Sequence, residues 1–163
     1  MDELGHGSHT ASTAAGRAVG NVSFGGLAAR MVRGAMPGAR LAIYKVCWDS
    51  GSCRETDMLA AFDDAIADGV DVISMSIRYR FVVKYFNSAL AIGSFHAMRR
   101  GVLTSPAAGN SALDGGGVDN VAPWILSIAA SSTDRRLVGK LVLGNGKTIV
   151  VRAYRSDPWE IVA

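Results

Sequence analysis

Only two cysteines and three histidines occur among the 163 residues, and each scarcity removes a class of chemistry. Cys47 and Cys53 lack the Cys-x-x-Cys spacing of a dithiol redox motif, and two cysteines alone are compatible with free core thiols. His6 and His9 lie three apart without the glutamate and wider spacing of His-Glu-x-x-His, and His96 falls far along the chain in a different predicted helix. That spacing argues against a metal site, and no cofactor is expected. No apolar run is long enough to cross a bilayer. Neither a Gly-x-Gly-x-x-Gly fingerprint nor an internal repeat occurs. Gly146-Lys147-Thr148 resembles the end of a phosphate loop, yet the glycine required five positions earlier is Leu141, and the strand–loop–helix context is missing. Net charge is +3, with basic residues clustered only at 78–84 and 135–136. Such short clusters make a solvated surface and no nucleic-acid footprint, so neither nucleic acid nor membrane is an expected partner. The opening Met-Asp-Glu-Leu-Gly-His has none of the features of a signal peptide.

What is present is an alternation of helix and strand in a chain sized for one domain. A helix is expected at 6–16, followed by a glycine-rich loop at 19–38 and a strand at 40–48. Thr56 is the candidate N-cap of a helix reaching Asp68, in which Leu59, Phe62, Ala65 and Ile66 recur at helical spacing. Gly69 stops that helix, and 70–77 reads as a buried strand. A further helix at 88–100 ends at Gly101, with Arg99 and Arg100 suited to its C-terminal dipole. Strands are expected at 102–108 and 124–130. Near-continuous apolar strands separated by helices argue for right-handed βαβ units, an α/β fold with a parallel sheet flanked by helices. Residues 141–151, broken by Gly144-Asn145-Gly146, read as a C-terminal β-hairpin.

Residues 5–16, Gly-His-Gly-Ser-His-Thr-Ala-Ser-Thr-Ala-Ala-Gly, put His6 between two glycines at the head of a run of small residues. Gly5 and Gly7 permit close approach to the imidazole, and a histidine at the mouth of a thin helix is placed for general-base work near neutral pH. A structural histidine in a glycine-rich turn is the alternative from the residues alone. For Asn110, after Ala108-Gly109 at a strand end, the alternatives are an amide donor to an oxyanion or a turn residue.

Several blocks stand in order: the histidine segment; Ala39-Arg-Leu-Ala-Ile-Tyr-Lys-Val-Cys-Trp48; the Ala-Phe-Asp-Asp-Ala-Ile-Ala-Asp-Gly-Val-Asp-Val-Ile-Ser core within 57–76; Gly93-Ser-Phe-His-Ala-Met98; Ala108-Gly-Asn110; and Pro123-Trp-Ile-Leu-Ser-Ile-Ala-Ala130. Through these, residues 5–150 resemble the plant branch of the subtilisin-like serine proteases (subtilases, peptidase family S8). The resemblance implies an incomplete subtilisin-like fold at 1–150 with a divergent tail at 151–163. It implies His6 as catalytic base, His9 as structural, Asn110 as oxyanion donor, and Ser74, Met75, Ser76 and Ile77 as the strand that pairs with a polypeptide substrate. The family follows that strand with two glycines; here Arg78 and Tyr79 stand there, with side chains able to obstruct the cleft.

The family's cysteine pair implies a Cys47–Cys53 disulfide, worth about 2 kcal/mol in the chain-entropy description for so short a loop. It also implies secretion, to the apoplast, with which the Asn21-Val22-Ser23 glycosylation sequon agrees. A protease of this type uses Asp, His and Ser in that chain order. Asp2 and Glu3 are too close to His6 to be the orienting aspartate, no Gly-Thr-Ser-Met block occurs, and Ser74, Ser76 and Ser111 belong to other motifs. The expected reading is a fragment of a subtilisin-like serine endopeptidase, inactive by itself. The alternative is a non-catalytic, protease-derived binding or vestigial protein from a truncated gene.

Overall fold

The structure, a computed structural model, describes residues 2–48, 52–79, 83–110, 117–131 and 138–152. Ser111, residues 80–82, the 135–136 pair and nearly all of the expected tail therefore lie outside the described residues. Two compact units make up the chain, Met1–Ala130 and Ser131–Ala163.

The first unit opens with α1 (His6–Ala15). Its small residues let the chain return closely: the N–H groups of Gly34, Ala35 and Met36 donate to the carbonyls of Gly16, Thr13 and Ala14 at 2.8–2.9 Å. These bonds satisfy carbonyls that a helix end otherwise leaves open. A Cβ on Gly34 would meet the backbone of Gly16 and Ala15. The partner that α1 finds is this segment, and only Ala15 of the helix is buried.

Between helix and return lies a departure from the expected loop: β1 (Val19–Phe24) and β2 (Leu27–Val32) form an antiparallel hairpin. Gly25 and Gly26 both take positive φ, 54° and 82°, the backbone that a two-residue hairpin turn with right-handed twist requires. The expected strand at 40–48 shrinks to β3 (Cys47–Trp48), paired with β4 (Ser52–Cys53). Leu41 and Ile43 are exposed, so that apolar stretch has no buried face to hold it in a ladder.

Cys47 and Cys53, direct partners in that ladder, are joined by a disulfide with Cα atoms 4.0 Å apart. The chain leaves Cys53 straight into α2 (Glu55–Ala67), so the cap is Arg54 and not Thr56, with no side-chain cap bond. Glu55 and Asp57 in the first turn supply the favourable charge instead. Asp57 also accepts from Trp48 Nε1 at 2.7 Å, tying the helix start to β3.

Next come β5 (Val72–Met75), a 3₁₀ turn (Tyr85–Asn87), α3 (Ala89–Arg99) and β6 (Leu103–Pro106). Ser88 caps α3 by accepting from Ala91 N at 3.1 Å. β5 and β6 pair in parallel with Val72 opposite Leu103 and Met75 opposite Pro106. The expected strand at 124–130 contributes one parallel bridge, Ala107 to Ile128, with the N–H groups of Leu126 and Ile128 donating to Thr104 and Pro106 at 3.0 Å. Regular parallel pairing is thus confined to two strands plus that bridge among the described residues.

Phe62, Ala97 and Val102 form the core, with Ile66, Val70, Ile73 and Met75 packed on it. The ring of Phe62 lies so close to α3 that a Cβ on Gly93 would overlap it. Trp124 closes the other side of α3, donating from Nε1 to Ala91 O at 3.0 Å and to Ser94 Oγ at 3.1 Å, with its ring edge-on to Tyr85 and Phe95.

The second unit holds the hairpin of β7 (Val138–Val142) and β8 (Thr148–Arg152). Leu143 N donates to Lys147 O, Gly146 N donates to Leu143 O, and Gly146 has φ 79°. This is the three-residue loop with a left-handed glycine, where the Asn-Gly signal alone suggests a two-residue turn.

Gly93→Ala should destabilise the chain by about 1–3 kcal/mol through overpacking against Phe62. Urea denaturation is the measure. Because the two residues touch, the Gly93→Ala/Phe62→Leu pair should be less destabilised than the sum of the single changes.

Candidate functional site

His6 is the first residue of α1 and is exposed. Gly5 before it takes φ 73° and offers no side-chain cap. The cap comes instead from Asp2: Oδ1 accepts from Gly5 N at 3.0 Å, and Oδ2 accepts from both the N–H and the hydroxyl of Ser8 at 2.7 Å. Asp2 is therefore engaged with the helix N-terminus, and among the described residues no carboxylate pairs with the His6 imidazole. His9 is exposed as well, with its carbonyl taken by the hydroxyls of Ser12 and Thr13.

Hydrogen bonds from the Ser8 N–H, then the Ser8 hydroxyl, outweigh partial desolvation and hold the Asp2 carboxyl below its ordinary 3.8; Gly5 N–H acts in the same direction.

Ser74 and Met75 close β5, and Ser76 and Ile77 run on from it. Met75 turns inward onto the core while Ser74 and Ser76 are exposed. The parallel register puts the segment after Met75 beside the segment after Pro106, so Ile77 and Ala107–Ala108 share the carboxyl edge of the pair. Gly109 then turns with φ 93°, with Asp119 standing where a Cβ would be, and Asn110 follows, exposed. The left-handed conformation that Asn110 could have supplied falls on Gly109. The carboxyl edge of parallel strands is where α/β folds place ligands. The topology thus brings Ser76, Ile77 and Asn110 to one edge. Among the described residues no hydrogen bond or ion pair joins α1, and with it His6, to that edge.

Asn120 is the residue that sequence reasoning missed. Its Nδ2 donates to Ile77 O and to Ala107 O, both at 2.8 Å, clamping the ends of the two strands together. Its own carbonyl accepts from the Ser127 hydroxyl, and its φ of 55° is one that asparagine tolerates better than most residues. Alongside, Asp119 N donates to Ala108 O at 2.8 Å. Arg78 lies 3.9 Å from Asp119 Oδ2, an ion pair too long for a hydrogen bond. Tyr79 is half-buried and lines a small cavity with the 118–122 segment. Arg78 thus pairs with the strap at 117–122, and Tyr79 borders a cavity beside it. Nothing periodic marks Asn120; the only signal is its place just before Val121-Ala-Pro-Trp124.

Asn21 is exposed in β1 at φ 57°, where the hairpin register slips between Val19 and Val22. Among the described residues, no group of three or more His, Cys, Asp or Glu could hold a metal ion, and no helix is long and apolar enough to cross a membrane.

Asn120→Ala should cost about 1–3 kcal/mol by leaving two carbonyls without their donor. Asn120→Gly relieves the backbone of its positive φ and should still be destabilised, which separates loss of the amide from strain; urea denaturation reads both. For Asp2 the folded pKa is depressed, so its stabilisation is complete above 3.8 and is lost as pH falls through the lower folded value. NMR titration of the Asp2 carboxyl should show that lowered midpoint, and Ser8→Ala, which removes the hydroxyl and keeps the N–H, should bring it part of the way back.

The subtilase family model (Peptidase S8) matches residues 1–163. Subtilisin-like protease SBT4.3 of Arabidopsis thaliana is 57% identical over 148 residues, covering 91% of this chain and 20% of that protein. SBT4.12 and SBT4.7 of the same plant are each 53% identical over 155 residues, covering 95% of this chain and 21% and 22% of theirs. The chain spans about a fifth of the length of these curated relatives.

Proposed function

Since the chain belongs to the subtilase family, we propose that it is part of the peptidase domain of a subtilisin-like serine endopeptidase. The 57% identity to a plant subtilisin-like protease over 148 residues carries this reading. In it, His6 is the general base that takes the proton of a serine nucleophile and returns it to the leaving amine. Asn110 donates its amide N–H to the oxyanion that develops on the scissile carbonyl. Ser74, Met75, Ser76 and Ile77 present backbone groups to an extended polypeptide, which gains main-chain hydrogen bonds with little demand on its sequence. The shared carboxyl edge of β5 and β6 supports the placing of Asn110 beside that strand.

The pair β5–β6, with its bridge to Ile128, is proposed as part of a larger parallel sheet flanked by helices. Residues 1–150 form the peptidase portion and 151–163 its tail. The Cys47–Cys53 disulfide and the exposed Asn21 sequon support maturation in an oxidising, secretory compartment, where the sequon would carry a glycan.

No Gly-Thr-Ser block occurs in the 163 residues, so base and oxyanion donor are present here without an assigned nucleophile. The second reading, a non-catalytic binding or vestigial protein, is favoured by one observation: Arg78, paired with Asp119, and the half-buried Tyr79 stand where the resemblance implies two glycines.

An active-site-directed fluorophosphonate should leave the isolated 163-residue chain unlabelled, since without a nucleophile no acyl-enzyme forms. Stoichiometric labelling of any serine, read by intact-mass spectrometry, would overturn that. The two readings part on a full-length transcript: an in-frame aspartate strand upstream and a Gly-Thr-Ser block downstream belong to the endopeptidase alone.

A further inference from the structure

We propose that a cleft between α2 and α3 binds the oxyanion group of a small hydroxylated anion such as a sugar phosphate. The cleft, open to solvent, has a volume of about 480 Å³ and is lined by Ile66 and the exposed Asp63 from α2 and by the exposed His96, Arg99 and Arg100 at the end of α3. That volume falls in the range of about 300–1,000 Å³ usual for small-molecule sites. It shares no lining residue with the β5–β6 edge, and the inference does not rest on the protease reading.

Packing beneath the cleft holds its two helices together. Phe62 precedes Asp63 and seats on Gly93, one turn before His96, so the contact that joins the helices also sets the width of the cleft. The His96 ring stands edge-on to Phe95 at 6.0 Å, and Phe95 in turn to Trp124 at 5.2 Å, which braces the imidazole from behind.

The guanidinium groups are not consumed in closing the helices. In α3 the carbonyls of Ala97 and Met98 already accept from the N–H groups of Arg100, Gly101 and Val102. In α2 those of Asp64, Ala65 and Ile66 accept from Asp68, Val70 and Gly69. Among the described residues neither Arg99, Arg100 nor Asp63 enters an ion pair. Arg99 and Arg100 of α3 and Asp63 of α2 line the same cleft with no ion pair between them.

This donor set suits an oxyanion. A guanidinium presents paired N–H groups that match phosphate or carboxylate geometry, and the His96 imidazole adds an N–H donor. Asp63, an acceptor only, would repel a bare anion but accept hydrogen bonds from hydroxyls, and the half-buried Ile66 offers an apolar surface to ring carbons. An anion that also carries hydroxyls uses all five residues.

The test is an NMR titration of the ¹⁵N-labelled 163-residue chain with inorganic phosphate, with glucose 6-phosphate, and with glucose as the uncharged control. Phosphate and glucose 6-phosphate should both shift resonances of α3 around 96–100, glucose 6-phosphate should bind more tightly, and glucose alone should do nothing. Arg99→Ala and Arg100→Ala should each weaken binding about tenfold or more. Lysine at either position should retain part of it, which keeps the test open if an alanine variant fails to fold. Asp63→Asn should strengthen phosphate and weaken glucose 6-phosphate. Equal affinity for the two anions would overturn the hydroxylated ligand. Shifts absent from 96–100, or unchanged in the Arg99→Ala/Arg100→Ala variant, would overturn the site.

Discussion

Phe62 lies against the backbone of Gly93, and a Cβ at that position would occupy the space of its ring. The contact sets how closely α2 and α3 can run, and both helices are covalently continuous with the parallel pair beneath them. Val70, Ile73 and Met75 on the β5 side and Val102 before β6 complete the same core. Helix spacing and strand register are therefore one constraint. A glycine in mid-helix costs about 1 kcal/mol of propensity relative to alanine, and here the buried aromatic ring it admits offsets that cost.

Above this core the carboxyl edge of the strands is organised by a second kind of interaction. Parallel strands end with carbonyls that have no next residue to pair with, and Asn120 supplies both missing donors from one side chain. Trp124, four residues on, anchors the same segment to α3 through its indole N–H. Asn120 within the 117–122 strap and Trp124 just beyond it bridge the edge and the helix layer. The candidate substrate strand and Asn110 share that edge because the strap holds Ile77 and Ala107 together.

Arg78 and Tyr79 change the character of the edge. Two glycines at that point would leave a flat ridge; an ion pair to Asp119 and a half-buried phenol make a filled one. An extended peptide approaching β5 would meet side chains there in place of bare backbone, which bears on substrate choice if the chain serves an endopeptidase and on peptide capture if it does not.

The helices α2 and α3 were legible because Leu59, Phe62, Ala65 and Ile66 recur at helical spacing and because Gly69 and Gly101 end the runs, both at positive φ. The C-terminal hairpin was legible from its glycines. The β1–β2 hairpin carried a local signal too, Gly25-Gly26, but every described side chain of β1 is exposed, so no alternation of buried and exposed residues announced a strand. The stretch at 40–46 misled in the opposite sense: its apolar residues run nearly unbroken, yet among the described residues no strand pairs with them. Motifs suggested roles for His6 and Asn110 by resemblance alone, since block order survives in sequence where contacts do not. Asn120 and the cleft at Arg99 and Arg100 were beyond reach, because each depends on groups tens of residues apart meeting in space. Local spacing determined which segments become helices and turns; only tertiary packing decided which carbonyls lack donors, which cations lack partners, and therefore where this chain can bind.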